Sequence, residues 1–194
     1  MRALILIPVI LACLRIRTRR YLYSPLTTLA CACLALSGAP VAAAGLTVSA
    51  AGDWYMAHRD GRSEMYRLGI VGFFCGHVLF LTHSLGRVRS PAAGLIACAA
   101  LGIWMCFYLK ERILKGVPEM LRLPVVCYGA ISAAGFSAAL ATMDALYALS
   151  IGLLVLSDTL IAERDFAGSE RTAKWILPTY YACHILMALS AMPA

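Results

Sequence analysis

The sequence predicts an all-α integral membrane protein, a single domain over residues 1–194 built as a bundle of eight transmembrane helices. Of its 194 residues, 61% are hydrophobic and only 14% are charged, and the mean hydropathy is +0.79. A soluble domain carries about 25% charged residues, so the surplus apolar surface must face lipid. The apolar runs lack the alternating pattern of membrane-spanning β-strands, and helix is therefore predicted for each of them.

Eight apolar runs follow one another between charged residues, glycines and prolines. They cover residues 3–15, 23–39, 41–57, 68–85, 92–109, 121–140, 143–162 and 174–192. Several are shorter than the usual span of about twenty residues, which favours a compact bundle whose helices shield one another. The first run has the composition of a signal peptide. However, four arginines stand where a cleavage site of small residues is expected, so we predict a retained helix.

The basic residues predict the orientation of the bundle. Fourteen of the seventeen fall in or beside the loops after spans 1, 3, 5 and 7, and the other three are Arg2, Arg87 and Arg89. Cytoplasmic loops carry the excess of lysine and arginine. We therefore expect those loops in the cytosol and both termini outside, in a bacterial inner membrane. This explains the net charge of +7 by topology and contact with membrane lipids, and it excludes nucleic acid as a partner.

Two aspartates recur in the same local frame. Asp53 and Asp158 each follow a small residue and precede an Ala-x-Arg-Asp sequence, and His77 and His184 follow 24 and 26 residues later. The two copies are four helices apart, an even number, so both halves have the same orientation. The sequence therefore predicts a parallel internal repeat of spans 1–4 over spans 5–8, with halves at about 1–89 and 90–194.

The polar residues of the spans are expected to form a cup that opens toward the cytosol. Asp53 and Asp158 each lie four residues before the end of a predicted span, or about 6 Å inside the membrane boundary at the rise of about 1.5 Å per residue. Ser24 and Tyr128 fall in nearly the same layer. His77 and His184 lie deeper, at about 13 Å.

An ionisable group inside a membrane is costly, and by default it indicates function. Two carboxyl groups in a low-dielectric cup do not both ionise readily, because each charge is poorly solvated and the two repel. One protonated acid beside one carboxylate is what acid–base hydrolysis requires. The alternative is that each aspartate pairs with Arg59 or Arg164 as a helix-end cap, but both arginines lie six residues away. The histidines and tyrosines can equally be packing residues.

Motifs for other chemistry do not occur. The eight cysteines contain no CxxC pair, and we interpret them as small residues that fill helix contacts. The sequence also lacks the serine-hydrolase, zinc-protease and nucleotide-binding motifs. We therefore predict neither a metal nor a cofactor.

The order and spacing of several short motifs resemble the YhhN family of membrane proteins, which includes lysoplasmalogenases. The matching pieces are Ser24-Pro25-Leu26-Thr27-Thr28, Gly45-Leu46 with Gly52-Asp53, Gly76-His77-Val78-Leu79-Phe80, Tyr128 with Ala133, Leu156-Ser157-Asp158 with Phe166, and Thr179-Tyr180-Tyr181 with His184 and Ser190. One departure stands out, because the family usually carries lysine where this chain has Ser24.

The resemblance implies hydrolysis of the vinyl-ether bond of a lysoplasmalogen, a lysophospholipid, to a fatty aldehyde and a glycerophospho-choline or -ethanolamine. It implies Asp53 and Asp158 as the catalytic residues, and a substrate-binding set of Ser24, His77, Tyr128, Ser157, Tyr181 and His184. Three alternatives remain open at this point: a proton-coupled transporter of a small molecule or lipid, a hydrolase of another lipid ether or ester, and a structural bundle without a substrate. The sequence does not determine the oligomeric state.

Overall fold

The computed structural model describes residues 2–58 and 63–192, and every regular element within these ranges is helical. The α-helices are α1 (Leu6–Thr18), α2 (Tyr23–Ala35), α3 (Pro40–Ala57), α4 (Ser63–Leu85), α5 (Pro91–Tyr108), α6 (Glu119–Ala141), α7 (Ala145–Ala167) and α8 (Ala173–Ala191). Short 3-10 turns at Arg2–Ile5 and Glu170–Thr172 precede α1 and α8, and a π-helical turn at Leu109–Ile113 extends α5. The predicted number of eight helices is thus confirmed for the described chain.

Four helices of the described ranges are long and apolar enough to cross a membrane. They are Glu64–Leu85, Pro91–Ile113, Glu119–Ala141 and Ala145–Ala167. Helix α5 also exposes large apolar side chains that a soluble protein would bury, since Leu95, Ile103 and Phe107 are all well exposed. These features indicate a membrane-integral protein. Helices α1 and α2 are shorter, with 13 residues each.

The helix ends follow from local sequence, and three of them differ from the predicted spans by four or five residues: α2 ends at Ala35 rather than 39, α4 begins at Ser63 rather than 68, and α7 passes residue 162. Pro40 and Pro91 open α3 and α5, where the missing N–H of proline costs nothing. Helix α7 continues to Ala167 rather than ending at residue 162. The predicted end was wrong because the charged residues beyond it remain helical, with Tyr108 bonded to Glu163. The chain turns only at Gly168, whose φ of 67° suits glycine.

The extension of α7 changes the expected equivalence of the two aspartates. Asp53 is four residues from the end of its helix (57 − 53), but Asp158 is nine residues from the end of α7 (167 − 158). The second copy of the repeated frame therefore lies wholly inside a helix, whereas α3 ends at Ala57 within the first copy. Arg59 and Asp60, which close the first copy, and Arg62 lie outside the described residues.

The chain divides into two compact units, and the first comprises residues 1–83 and 184–194. Within it α1 packs on α2, and α2 packs on α3. Helices α3 and α4 approach closely at two glycines, because a Cβ atom on Gly72 would lie 3.0 Å from the Cα atom of Gly52. Phe80 of α4 lies against Gly45 of α3, and both Phe80 and Leu46 are buried. Small residues thus set the spacing of these helices, as in membrane proteins generally.

The second unit comprises residues 84–183, and its helices α5, α6 and α7 pack in chain order. A cluster of polar contacts ties the segment before α5 to the start of α7. Arg87 Nη2 lies 3.0 Å from Asp144 Oδ2, and the hydroxyl groups of Ser84 and Tyr147 are 3.1 Å apart. Asp144 Oδ1 also accepts a hydrogen bond from the Tyr147 N–H and so caps α7.

Candidate functional site

Asp53 is the most buried of the predicted catalytic residues. It lies near the end of α3, is 7% exposed, and accepts a hydroxyl hydrogen bond on each carboxylate oxygen. Ser24 Oγ donates to Oδ1 over 3.1 Å, and Thr28 Oγ1 donates to Oδ2 over 2.7 Å. The two donors are four residues apart and therefore share one face of α2. The prediction that Ser24 and Asp53 lie in one layer is confirmed.

The position of Ser24 also gives meaning to the departure from the YhhN pattern. The resemblance described above implies a lysine at this position, whereas in this chain the Ser24 hydroxyl contacts the Asp53 carboxylate. A neutral hydroxyl donor thus stands where a cationic donor would otherwise meet the acid. The departure therefore affects the environment of Asp53 directly.

Thr28 links Asp53 to a buried histidine. The Thr28 hydroxyl oxygen lies 3.2 Å from Nδ1 of His184, a residue of α8 whose side chain is fully buried. Asp53, Thr28 and His184 thus form a continuous chain of hydrogen-bonding groups within the first unit. Thr28 is not among the sequence-predicted site residues. The signal that identifies it is its spacing of four from Ser24, which puts both hydroxyl groups on the face of α2 that meets α3.

His77 is the second buried histidine of the first unit. Its Nδ1 lies 3.0 Å from the backbone oxygen of Phe73, one turn earlier in α4. A carbonyl oxygen only accepts hydrogen bonds, so Nδ1 carries a proton in this arrangement. The ring lies edge-on to Phe80, with centroids 6.3 Å apart, and is close enough to His184 for the two to interact electrostatically. A substrate contact by His77 remains a prediction.

Asp158 has a related environment in the second unit. It is half-buried in α7, and the hydroxyl group of Tyr128 in α6 donates to its Oδ2 over 3.1 Å. The prediction that Tyr128 and Asp158 share a layer is therefore confirmed. In both units, a hydroxyl group from the preceding helix in the chain holds the aspartate. The first unit uses a serine and a threonine, whereas the second uses a phenol.

Two further predicted residues of the second unit are fully enclosed. Ser157 is fully buried, and its hydroxyl donates to the backbone oxygen of Ile176 in α8 over 3.2 Å. Tyr181 is also buried and packs edge-on against Tyr180, with ring centroids 5.6 Å apart. The Ser157 bond joins α7 to α8, whereas the ring contact of Tyr181 is made with its neighbour in α8 itself. Their predicted contact with substrate remains a prediction.

A polar cluster that the sequence did not indicate lies further along α7. The Tyr108 hydroxyl donates to Glu163 Oε1 over 2.8 Å, and Arg112 Nε lies 3.9 Å from the same oxygen. Beside it, Arg164 Nε donates to Asp165 over 2.7 Å. Arg164 therefore has a partner next to it in the chain, which weakens the alternative that it caps Asp158. Arg59, the corresponding candidate for Asp53, lies outside the described residues.

The donor groups of both aspartates suit proton transfer. Hydroxyl, carboxyl and imidazole groups within hydrogen-bond reach can hold, orient and move protons. Among the side chains that the structure describes, no three or more of histidine, cysteine, aspartate and glutamate are grouped so as to hold a metal ion.

Comparison with known proteins identifies a family. No curated protein and no solved structure matches the chain significantly. The model of the YhhN family matches residues 5–191, which is nearly the whole chain and includes every site residue described above. The protein therefore belongs to the YhhN family.

Proposed function

We propose that this protein is a lysoplasmalogenase-type hydrolase, which cleaves the vinyl-ether bond of a lysoplasmalogen by acid–base catalysis at Asp53 and Asp158. The observation that carries the proposal is the enclosed carboxyl group of Asp53, with a hydroxyl donor on each of its oxygens. Membership of the YhhN family supports the same reaction. The long apolar helices fit a substrate that lies in the membrane.

Burial argues that Asp53 has a function rather than a structural role. A buried carboxyl group must be compensated by hydrogen bonds, and an apolar residue in its place costs less. The chain instead supplies two hydroxyl donors from α2 to this one side chain. Helices α2 and α3 thus enclose a polar side chain at a place where an apolar one would cost less. Buried polar groups of this kind are typical of catalytic and binding positions.

The proposed reaction has three steps. A neutral carboxyl group gives its proton to the β-carbon of the vinyl ether, the C=C bond becomes a single bond, and an oxocarbenium ion forms at the α-carbon. A carboxylate then removes a proton from water, whose oxygen adds to this cation and gives a hemiacetal. The hemiacetal collapses to a fatty aldehyde and a glycerophospho-alcohol, and the C–O bond breaks as the hydroxyl proton passes to the leaving oxygen. The two carboxyl groups divide the roles as in glycosidases.

The proposal includes the finer topology that the sequence predicts. All eight helices span the membrane, and the halves 1–89 and 90–194 repeat one four-helix plan. The excess of basic residues after spans 1, 3, 5 and 7 puts the site on the cytosolic side of a bacterial inner membrane. The phosphate headgroup of the lysophospholipid then lies near cytosolic arginines, and its hydrocarbon chain lies among apolar helices.

Isotope labelling of the product tests the reaction. Purified protein in detergent is given lysoplasmenylcholine or lysoplasmenylethanolamine in D2O, and the aldehyde is analysed by mass spectrometry. Because the proton goes to the β-carbon, the aldehyde should carry one deuterium at its C2 atom. The saturated alkyl-ether analogue should not react, since it has no double bond to protonate. Aldehyde without deuterium, or equal cleavage of the saturated ether, would contradict the mechanism.

A further inference from the structure

The hydrogen-bond chain through Thr28 distinguishes the two aspartates. We infer that Asp53 is the carboxylate that activates water, that His184 is a positioning residue acting on it through Thr28, and that Asp158 is the proton donor. The inference rests on the proposed hydrolase function and adds the division of roles. Its geometric basis is the run of two contacts, 3.2 Å from His184 to Thr28 and 2.7 Å from Thr28 to Asp53.

The direction of the chain follows from the number of protons on Thr28. A hydroxyl group has one hydrogen to donate and lone pairs with which to accept. The shortest contact assigns the Thr28 hydrogen to Asp53 Oδ2 at 2.7 Å rather than to the backbone oxygen of Ser24 at 3.3 Å, so the Thr28 oxygen accepts from Nδ1 of His184 at 3.2 Å. His184 is then the tautomer with its proton on Nδ1. The chain thus runs from His184 through Thr28 to Asp53, with every hydrogen pointing toward the carboxyl group.

This direction matches a carboxylate rather than a carboxylic acid at Asp53. Ser24 donates to Oδ1 while Thr28 donates to Oδ2, and an ionised carboxylate is the form that only accepts. Hydrogen bonds that polarise one another along a chain strengthen each other, so His184 reinforces the bond from Thr28. The proposed mechanism needs one carboxylate and one acid. With Asp53 as the carboxylate, the acid is Asp158.

The burial of His184 indicates that it acts indirectly. Its side chain is fully buried and faces Thr28, so it reaches Asp53 through that hydroxyl rather than by touching the substrate. The sequence-based expectation treated His184 as substrate-binding. The structure favours a role like that of the third member of a catalytic triad, which orients the group that acts.

Nitrogen NMR tests the direction of the chain without any substrate. The protein contains only four histidines, so ¹⁵N-histidine labelling gives a spectrum that can be assigned by single substitutions. We expect wild-type His184 to carry its proton on Nδ1. In Thr28→Val the acceptor of the His184 Nδ1–H is lost, so the nitrogen signals of His184 should shift. A wild-type spectrum with the proton on Nε2, or unchanged His184 signals in Thr28→Val, would overturn the inference.

Kinetics with matched threonine variants test the positioning role. Thr28→Val keeps the shape and removes the hydroxyl, and it should lower kcat about 10- to 100-fold, the range for a lost hydrogen bond to a charged group. Thr28→Ser restores the hydroxyl and should restore kcat to within about 3-fold of wild type. Thr27→Val is the control, because Thr27 is equally buried in α2 but its hydroxyl bonds to the Tyr23 backbone oxygen at 2.6 Å. Equal losses in Thr27→Val and Thr28→Val, or full activity in Thr28→Val, would overturn the role.

Rescue by small anions tests the division of roles. A missing carboxylate base is replaceable by formate in solution, so formate should restore aldehyde release by Asp53→Gly and leave Asp158→Gly inactive. The reverse pattern would exchange the roles and refute the inference. If the wild type released no aldehyde from any lysoplasmalogen, the proposed function would fail, and the NMR measurement would still decide the direction of the chain.

Discussion

Removal of the Tyr128 hydroxyl group is a sharp test of the second half of the site. Tyr128→Phe deletes one hydrogen bond, to Asp158 Oδ2 at 3.1 Å, and leaves the aromatic ring in place. Because Asp158 is the neutral proton donor in the proposed mechanism, this is a hydrogen bond between neutral groups, which contributes about 0.5–1.5 kcal/mol, or about 2- to 13-fold in rate. The bond is slightly longer than the usual O–H···O range of about 2.5–3.0 Å, and Asp158 is half-buried, so water replaces part of it. We therefore expect a loss of about 3- to 10-fold in kcat.

The assay is aldehyde release from lysoplasmenylcholine, measured as kcat and KM separately. Tyr147→Phe is the matched control, because Tyr147 is a buried phenol of the same unit whose hydroxyl bonds to Ser84 at 3.1 Å. Its kcat should stay within about 2-fold of wild type while its melting temperature falls, since its hydroxyl bonds to Ser84 and not to a catalytic aspartate. Unchanged kcat in Tyr128→Phe, or an equal loss in both variants, would refute the assignment of Tyr128 to the site.

Two other predictions concern the fold. Gly72→Ala should lower the free energy of unfolding by about 1–3 kcal/mol, because the added methyl group overpacks against α3. Gly102→Ala is the control and should not lower it, because the space around Gly102 is open. Thermal melting in detergent compares the two variants, and equal melting temperatures would contradict the close contact. Asp144→Ala removes the cap of α7 and the partner of Arg87. It should lower the free energy of unfolding by about 0.5–2 kcal/mol and leave kcat unchanged. A loss of kcat in correctly folded protein would show instead that these residues serve catalysis.

Hydropathy predicted the helices well and their polar ends poorly. The existence and order of all eight helices follow from apolar runs, and prolines mark the starts of α3 and α5. Apolar runs report which residues can lie in lipid, whereas a helix ends where its backbone turns. Helix α7 passes from apolar to charged residues without turning, and only Gly168 ends it. The sequence contains this glycine, but the prediction ended the helix at the charged residues that precede it.

The site shows the same division between pattern and geometry. The repeated frame led to both aspartates, and depth along the helices placed Ser24 with Asp53 and Tyr128 with Asp158, as the hydrogen bonds confirm. Thr28 was not predicted because a threonine in an apolar helix usually bonds to its own backbone one turn earlier. Thr27, the adjacent residue, does so over 2.6 Å, whereas Thr28 makes the backbone contact to Ser24 at 3.3 Å and also bonds to Asp53 at 2.7 Å. Only the rotation of α2 toward α3 distinguishes these two neighbours, and that rotation depends on packing.

The role of His184 also required the structure. Its recurrence after Asp158 in the sequence associates it with the second half of the chain, yet it belongs to the first unit and contacts Thr28 there. The fit of small and large side chains decides where a helix packs. The position of a residue in the sequence repeat therefore does not determine which aspartate that residue approaches. The asymmetry between Asp53 and Asp158 arises from such contacts rather than from the repeated frame.

The central claim is that both aspartates carry out the hydrolysis, and the rate of aldehyde release from lysoplasmenylcholine by carboxamide variants tests it most directly. Glu111→Gln, on an exposed carboxylate paired with Lys115, is the control for the chemical change. We predict that Asp53→Asn and Asp158→Asn each lose about 100-fold or more in kcat. The double variant should be little worse than either single variant, because the reaction needs both groups together. Glu111→Gln should match the wild type. Wild-type activity in a folded Asp53→Asn or Asp158→Asn protein would contradict the claim.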